Sequence, residues 1–165
     1  MAPKHIVIIG YDDITSLDLS GPLEAFSSAY MEDSSGNRQP CYKVTIAALG
    51  AKIFRSESGL RMAAPCFLSS LRHLDTLVVP GGRGMRTTAA NLKLANWIGR
   101  RANGIRRIAS VCTGIFGVAP TGLLNGRRVT THWIGQSVAL VATGTARSAL
   151  RFRTSGRTHR ADWRL

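Results

Sequence analysis

Ile105-Arg-Arg-Ile-Ala-Ser-Val-Cys-Thr-Gly114 decides how this chain folds. Ile105 to Val111 reads as a strand, and Thr113 to Leu124 as the helix that follows it. Cys112 stands at the joint. Small neighbours let the chain turn sharply, so that the thiol projects from the turn as in a nucleophile elbow. A helix N-terminus beneath the sulfur is expected to lower its pKa below the free value of about 8.5. Backbone amides at the same place can stabilise a developing oxyanion. The competing reading is a buried structural cysteine at a strand end.

Outward from the elbow the same rhythm repeats. His5-Ile-Val-Ile-Ile9 is a continuous apolar run closed by Gly10, the pattern of a strand buried on both faces of a parallel sheet. Tyr42 to Leu49 and Asp75 to Pro80 read as two further strands. Between them, Pro22 suits a first helical turn capped by Ser20 or Gly21, with Leu23, Phe26 and Tyr30 following at helical spacing. Met31 to Pro40 is polar and reads as a loop, and Ile53 to Arg61 as a short hairpin turned by Ser58-Gly59. Asn91 can cap a helix that carries Leu92, Ala95, Trp97 and Ile98 and ends near Asn103-Gly104. Asn125-Gly126 turns the chain into a strand that ends at His132. Strands alternating with helices imply βαβ units, a mostly parallel sheet and a flavodoxin-like three-layer αβα sandwich.

With 165 residues, 44% of them hydrophobic, the chain has the size and apolar content of one domain. No apolar run reaches the ~18–20 residues of a membrane span. The N-terminal residues run straight into a strand without a cleavage site, which predicts a cytoplasmic protein. Three cysteines without a Cys-x-x-Cys pair, and four scattered histidines, predict neither a disulfide framework nor a metal site. The net charge of +13 is unevenly spread: residues 1–133 hold 16 Lys and Arg against 8 acids, and residues 134–165 hold 6 Arg against Asp162 alone. Short basic clusters such as Arg100-Arg101 and Arg106-Arg107 read as solvated faces, so no direct nucleic-acid binding is expected.

In an open parallel sheet, ligands bind beyond the carboxyl ends of the strands. Asp12 to Asp18, Gly81-Gly82, Cys112 and His132 all fall there. Gly81 and Gly82 let backbone approach a ligand and offer amide donors. Asp18 is either a dipole partner at a helix start or a carboxyl that hydrogen-bonds the sulfur, and one acid does not decide between them. His132 either pairs with Cys112 or shapes the pocket wall. Trp133 reads as a lid or core residue, and Cys41 and Cys66 as structural.

Four segments together resemble the ThiJ/PfpI superfamily, with its class I glutamine amidotransferase-like fold. They are Leu17-Asp-Leu-Ser-Gly-Pro-Leu-Glu-Ala-Phe26, Asp75-Thr-Leu-Val-Val-Pro-Gly-Gly82, Ser110-Val-Cys-Thr-Gly114 and Gly122-Leu-Leu-Asn-Gly-Arg-Arg-Val-Thr-Thr-His-Trp133. Two branches share these motifs: the ligand-sensing N-terminal domain of AraC-type (GlxA-like) transcriptional regulators, and enzymes similar to isocyanide hydratase. The resemblance implies Cys112 as nucleophile, Asp18 as its acidic partner, Gly82 and Thr113 as oxyanion amides and His132 as the pocket histidine. It implies a small-molecule ligand, a homodimer, no membrane and no metal or organic cofactor.

The resemblance is read over residues 4–133 and fades near Gln136. Ala142 to Leu165 is rich in Thr, Ser, Ala, Gly and Arg with little periodicity, as in GC-rich coding sequence read in a shifted frame. The expectation is therefore a family domain over residues 1–141 with incomplete closing elements, followed by an atypical tail over residues 142–165. Regulators of the AraC type continue into a helix-turn-helix pair that a chain of this length has no room for. The sensor reading comes first and the cysteine-dependent hydratase second.

Overall fold

The computed structural model describes residues 2–127 and 129–132. Trp133 and the tail over residues 142–165 therefore lie outside the described residues.

The continuous apolar runs form the centre of a sheet, as their burial on both faces requires. In chain order the elements begin with β1 (Lys4–Gly10), α1 (Ser16–Ser27), β2 (Tyr30–Glu32), β3 (Arg38–Pro40) and β4 (Tyr42–Ala48). Then come β5 (Ile53–Arg55), β6 (Arg61–Ala63), β7 (Cys66–Phe67), β8 (Thr76–Val79), α2 (Thr88–Gly99) and β9 (Arg107–Ser110). Five strands pair in parallel in the order β7-β4-β1-β8-β9. Ile6, Val7, Ile8 and Ile9 of β1 are at most 1% exposed, and each such side chain contributes roughly 1.5–3 kcal/mol of burial. The chain order reverses between β1 and β8, so right-handed crossovers put α1 and α2 on opposite faces. This is the expected flavodoxin-like α/β arrangement. No helix among the described residues is long and apolar enough to cross a membrane.

Several local expectations are corrected. Met31 to Pro40 is largely a hairpin, β2 paired antiparallel with β3. Every residue of both strands is exposed, so the hairpin lacks the apolar alternation that marks a strand. Its turn is tied by Asp33, whose Oδ1 accepts from the Ser35 and Asn37 amides, each at 2.9 Å. Helix α1 begins at Ser16, so Pro22 lies inside it and Ser20 and Gly21 cap nothing. The proline removes the amide that would have bonded the Asp18 carbonyl. Thr87 caps α2, its Oγ1 accepting from the Ala90 amide at 3.4 Å, while Asn91 sits within the helix.

The segment after the elbow is not one α-helix. It forms 3-10 turns over Cys112–Gly117 and Ala119–Thr121, with Pro120 opening the second. A proline without an N–H and glycines at 114, 117 and 122 explain why no regular helix propagates. Residues 129–132 carry no strand, so His132 does not end one. The hairpin expected over Ile53 to Arg61 is present and extends to Ala63, with Gly59 at φ 87 in its turn.

Candidate functional site

Cys112 has φ 53. A non-glycine residue holds that left-handed conformation only where the surroundings impose it, at a cost of about 1–3 kcal/mol. The surroundings do so here. The Val111 amide donates to the Val79 carbonyl at 2.9 Å, which ties the elbow to the end of β8. A Cβ at Gly114 would stand 2.0 Å from that same carbonyl oxygen, so only glycine lets the turn descend so close to β8. From the other side, Thr131 Oγ1 donates to the Cys112 carbonyl at 3.0 Å.

The glycine loop after β8 meets the elbow directly. The Gly81 amide donates to Asp18 Oδ2 at 3.0 Å, and the Gly82 amide to the buried Thr113 Oγ1 at 2.9 Å. A Cβ at Gly81 would lie 2.7 Å from Asp18 Oδ2 and 2.7 Å from the Thr113 nitrogen. Asp18, Gly81, Gly82, Thr113 and Cys112 are thus brought together as the sequence suggested. Thr131, next to the half-buried His132, makes a hydrogen bond to the elbow.

The electrostatics depart from expectation. Burial pushes the Cys112 thiol above its ordinary value, and the Asp18 carboxylate adds to the shift. Hydrogen bonding from the Thr113 amide and hydroxyl opposes it and does not win. The expected lowering by a helix terminus is absent because a six-residue 3-10 turn follows the cysteine, and because a carboxylate faces the sulfur. The amides expected to form an oxyanion hole are engaged as well: Gly82 serves Thr113, and the Thr113 amide faces the sulfur.

Two contributors escaped the sequence. Tyr11 is buried and its hydroxyl donates to the Pro80 carbonyl at 2.7 Å, fixing the entry to the glycine loop. Burial, reinforced by Asp18, holds that phenol strongly protonated. Glu57, in the turn between β5 and β6, accepts from the Arg83 amide through Oε1, and its own amide donates to the Ile14 carbonyl at 2.9 Å. Ile14 bridges to both Ser56 and Gly82. The hairpin therefore clamps the β1 loop to the glycine loop. The acids in Asp12-Asp13 and Ser56-Glu57-Ser58 hinted at this, but only the tertiary pairing joins them. Among the described residues no group of three or more His, Cys, Asp or Glu could hold a metal ion.

A Streptomyces lividans protein encoded in the cpoL 5' region is 35% identical over 131 residues, covering 79% of this chain and 89% of its own. The isonitrile hydratase of Pseudomonas putida is 28% identical, covering 74% of this chain and 50% of its own. The HTH-type transcriptional regulator GbdR of Pseudomonas aeruginosa is 25% identical, covering 99% of this chain and 45% of its own. The chain thus spans half or less of these last two relatives. A ThiJ/PfpI protein from Pseudomonas syringae superposes with a TM-score of 0.69 at 24% identity, covering 93% of this chain and 60% of that one. The DJ-1/PfpI family profile matches residues 4–156, running past Gln136 into the stretch set apart as a tail. By that match, the chain belongs to the DJ-1/PfpI family.

Proposed function

We propose that the carboxyl edge around Cys112 is the small-molecule-binding site of a sensory domain of the kind found in AraC-type transcriptional regulators. The observation that carries this reading is the state of the site. Cys112 is held as a thiol by burial and Asp18, and the Gly81 and Gly82 amides are engaged with Asp18 and Thr113. Such a site offers polar partners to an amide or amino-acid-like ligand, and lacks a resting thiolate for turnover. The similarity to GbdR along 99% of the chain supports the regulatory assignment. Iodoacetamide labelling of Cys112 in the presence of a panel of amino-acid amides tests it. Saturable protection by at least one amide is expected, and equal labelling in all of them would refute ligand binding at this edge.

A hydratase reading is favoured by one observation, the 28% identity to isonitrile hydratase together with Cys112 and Asp18 in contact. In that reading the Cys112 sulfur adds to the isonitrile carbon, and the same carbon takes the thiol's proton, relayed through Asp18, to give a thioimidate. Water then adds across its C=N bond, the nitrogen taking one proton, and the adduct collapses to an N-substituted formamide as the sulfur leaves and takes up the hydroxyl proton. Hydration of cyclohexyl isonitrile, lost in Cys112→Ala, would establish it over the sensor reading.

The protein acts as a homodimer in this proposal. Leu17, beside Asp18 on α1, is 72% exposed, an apolar residue placed to meet a second copy next to the site. Light scattering is expected to report a dimer that Leu17→Glu converts to monomer. A monomeric parent protein would exclude the arrangement.

A further inference from the structure

The amino edge of the same sheet carries a feature that the Cys112 site does not use. The loops entering β8 and β9 and the end of α2 enclose a hollow of about 260 Å3. Arg72, His73, Arg100 and Arg101 line it above Leu74 and Ile105. No acid lines it. The adjacent Asp75 is already gripped by Arg106, Nε at 2.7 Å and Nη2 at 2.6 Å from its two oxygens.

Arg101 is held in place before any ligand arrives. Its Nη1 donates to the Leu71 carbonyl at 2.7 Å and the Arg72 carbonyl at 3.4 Å, and its guanidinium lies 5.2 Å from the Trp97 ring centroid. Nε and Nη2 have no partner among the described residues, and neither do the exposed guanidinium groups of Arg72 and Arg100. Three like charges sharing one hollow repel one another, and a fixed guanidinium fork suits phosphate oxygens. A single carboxylate would leave two of the charges uncompensated.

We propose that this hollow binds a small anion carrying two or more linked phosphate groups. Its cations line one concavity, whereas a nucleic-acid duplex presents charge along a line, about one per 1.7 Å of axis. The site is independent of the Cys112 reading, because it lies at the opposite ends of the strands.

Calorimetric titration of the full chain with pyrophosphate tests the proposal, in about 0.1 M salt where charges within ~10 Å still act together. Saturable binding of one pyrophosphate per chain is expected, at least tenfold tighter than orthophosphate. Arg72→Glu and Arg100→Glu should each weaken it tenfold or more. Both side chains are exposed and unpartnered, so the thermal midpoint should hold. Arg86→Glu, exposed on the turn after the glycine loop, should leave binding unchanged, as should Cys112→Ala. Absence of binding at millimolar pyrophosphate would overturn the proposal, and so would affinity that survives both charge reversals or orthophosphate binding of equal strength. A 20-base-pair duplex that binds and is not displaced by pyrophosphate would also overturn it.

Discussion

The two ends of one parallel sheet are built in opposite ways. At the carboxyl ends the backbone is under constraint: both non-glycine residues with positive φ among the described ones, Asp13 at 59° and Cys112 at 53°, lie there, and so does Gly82 at 142°. Asp18 and Glu57 spend their carboxylates on the amides of Gly81 and Arg83. At the amino ends the backbone is ordinary and the side chains are mostly cationic, with Asp75 as the acid that Arg106 neutralises. One end stores specificity in backbone geometry and the other stores it in charge. Substitutions should therefore act on packing and strain at the first end, and on ion binding with little change in stability at the second.

The largest expected contrast is between two glycines. Gly81→Ala drives a Cβ to within 2.7 Å of Asp18 Oδ2 and the Thr113 nitrogen, and should cost about 1–3 kcal/mol. Gly104, at the amino end, has nothing within 4 Å of a Cβ, so Gly104→Ala should change stability by less than about 0.5 kcal/mol. Urea unfolding midpoints of the two variants check this. Equal losses would erase the distinction between the two ends.

Glu57→Ala should rank next. It leaves the Arg83 amide without its acceptor, for a loss of about 1 kcal/mol, while Glu57→Gln keeps an acceptor oxygen and should recover most of it. Recovery by glutamine separates loss of the hydrogen bond from loss of charge. A glutamine variant as weak as alanine would assign the effect instead to the ion pair between the Arg83 guanidinium and Glu57, Nε to Oε1 at 3.9 Å.

Among the side-chain truncations Arg106→Ala should have the smallest effect near neutral pH, because the pair with Asp75 is partly solvated. The Arg106 guanidinium holds the Asp75 carboxyl well below the usual carboxylate range. Its contribution is therefore present above the unfolded pKa of about 3.9 and lost as pH falls toward the lower folded value. The stability gap between parent and variant should close as pH drops below about 4. A gap that widens in acid would reverse the sign.

This division also explains what was legible in the sequence. The buried strands announced themselves through unbroken apolar runs such as Ile6 to Ile9, and Cys112 through the strand that delivers it. Asp18, Gly81 and Gly82 could be placed because strand ends converge in a parallel sheet. The β2–β3 hairpin was hidden because it is exposed throughout and held by backbone pairing and Asp33. The clamp by Glu57 was hidden because it reaches 26 residues along the chain to Arg83. Sequence also misjudged the thiol. Turn mechanics alone suggested activation, whereas its charge state depends on burial and on Asp18, 94 residues away in sequence.

The thiol is where the account is most exposed to test. The pH dependence of Cys112 alkylation by iodoacetamide, followed by intact mass in the parent protein and in Asp18→Asn, measures it directly. The account predicts that the parent thiol titrates above the free value of about 8.5 and that Asp18→Asn moves the titration downward. A parent thiol that titrates well below that value, and that Asp18→Asn leaves in place or raises, would contradict it.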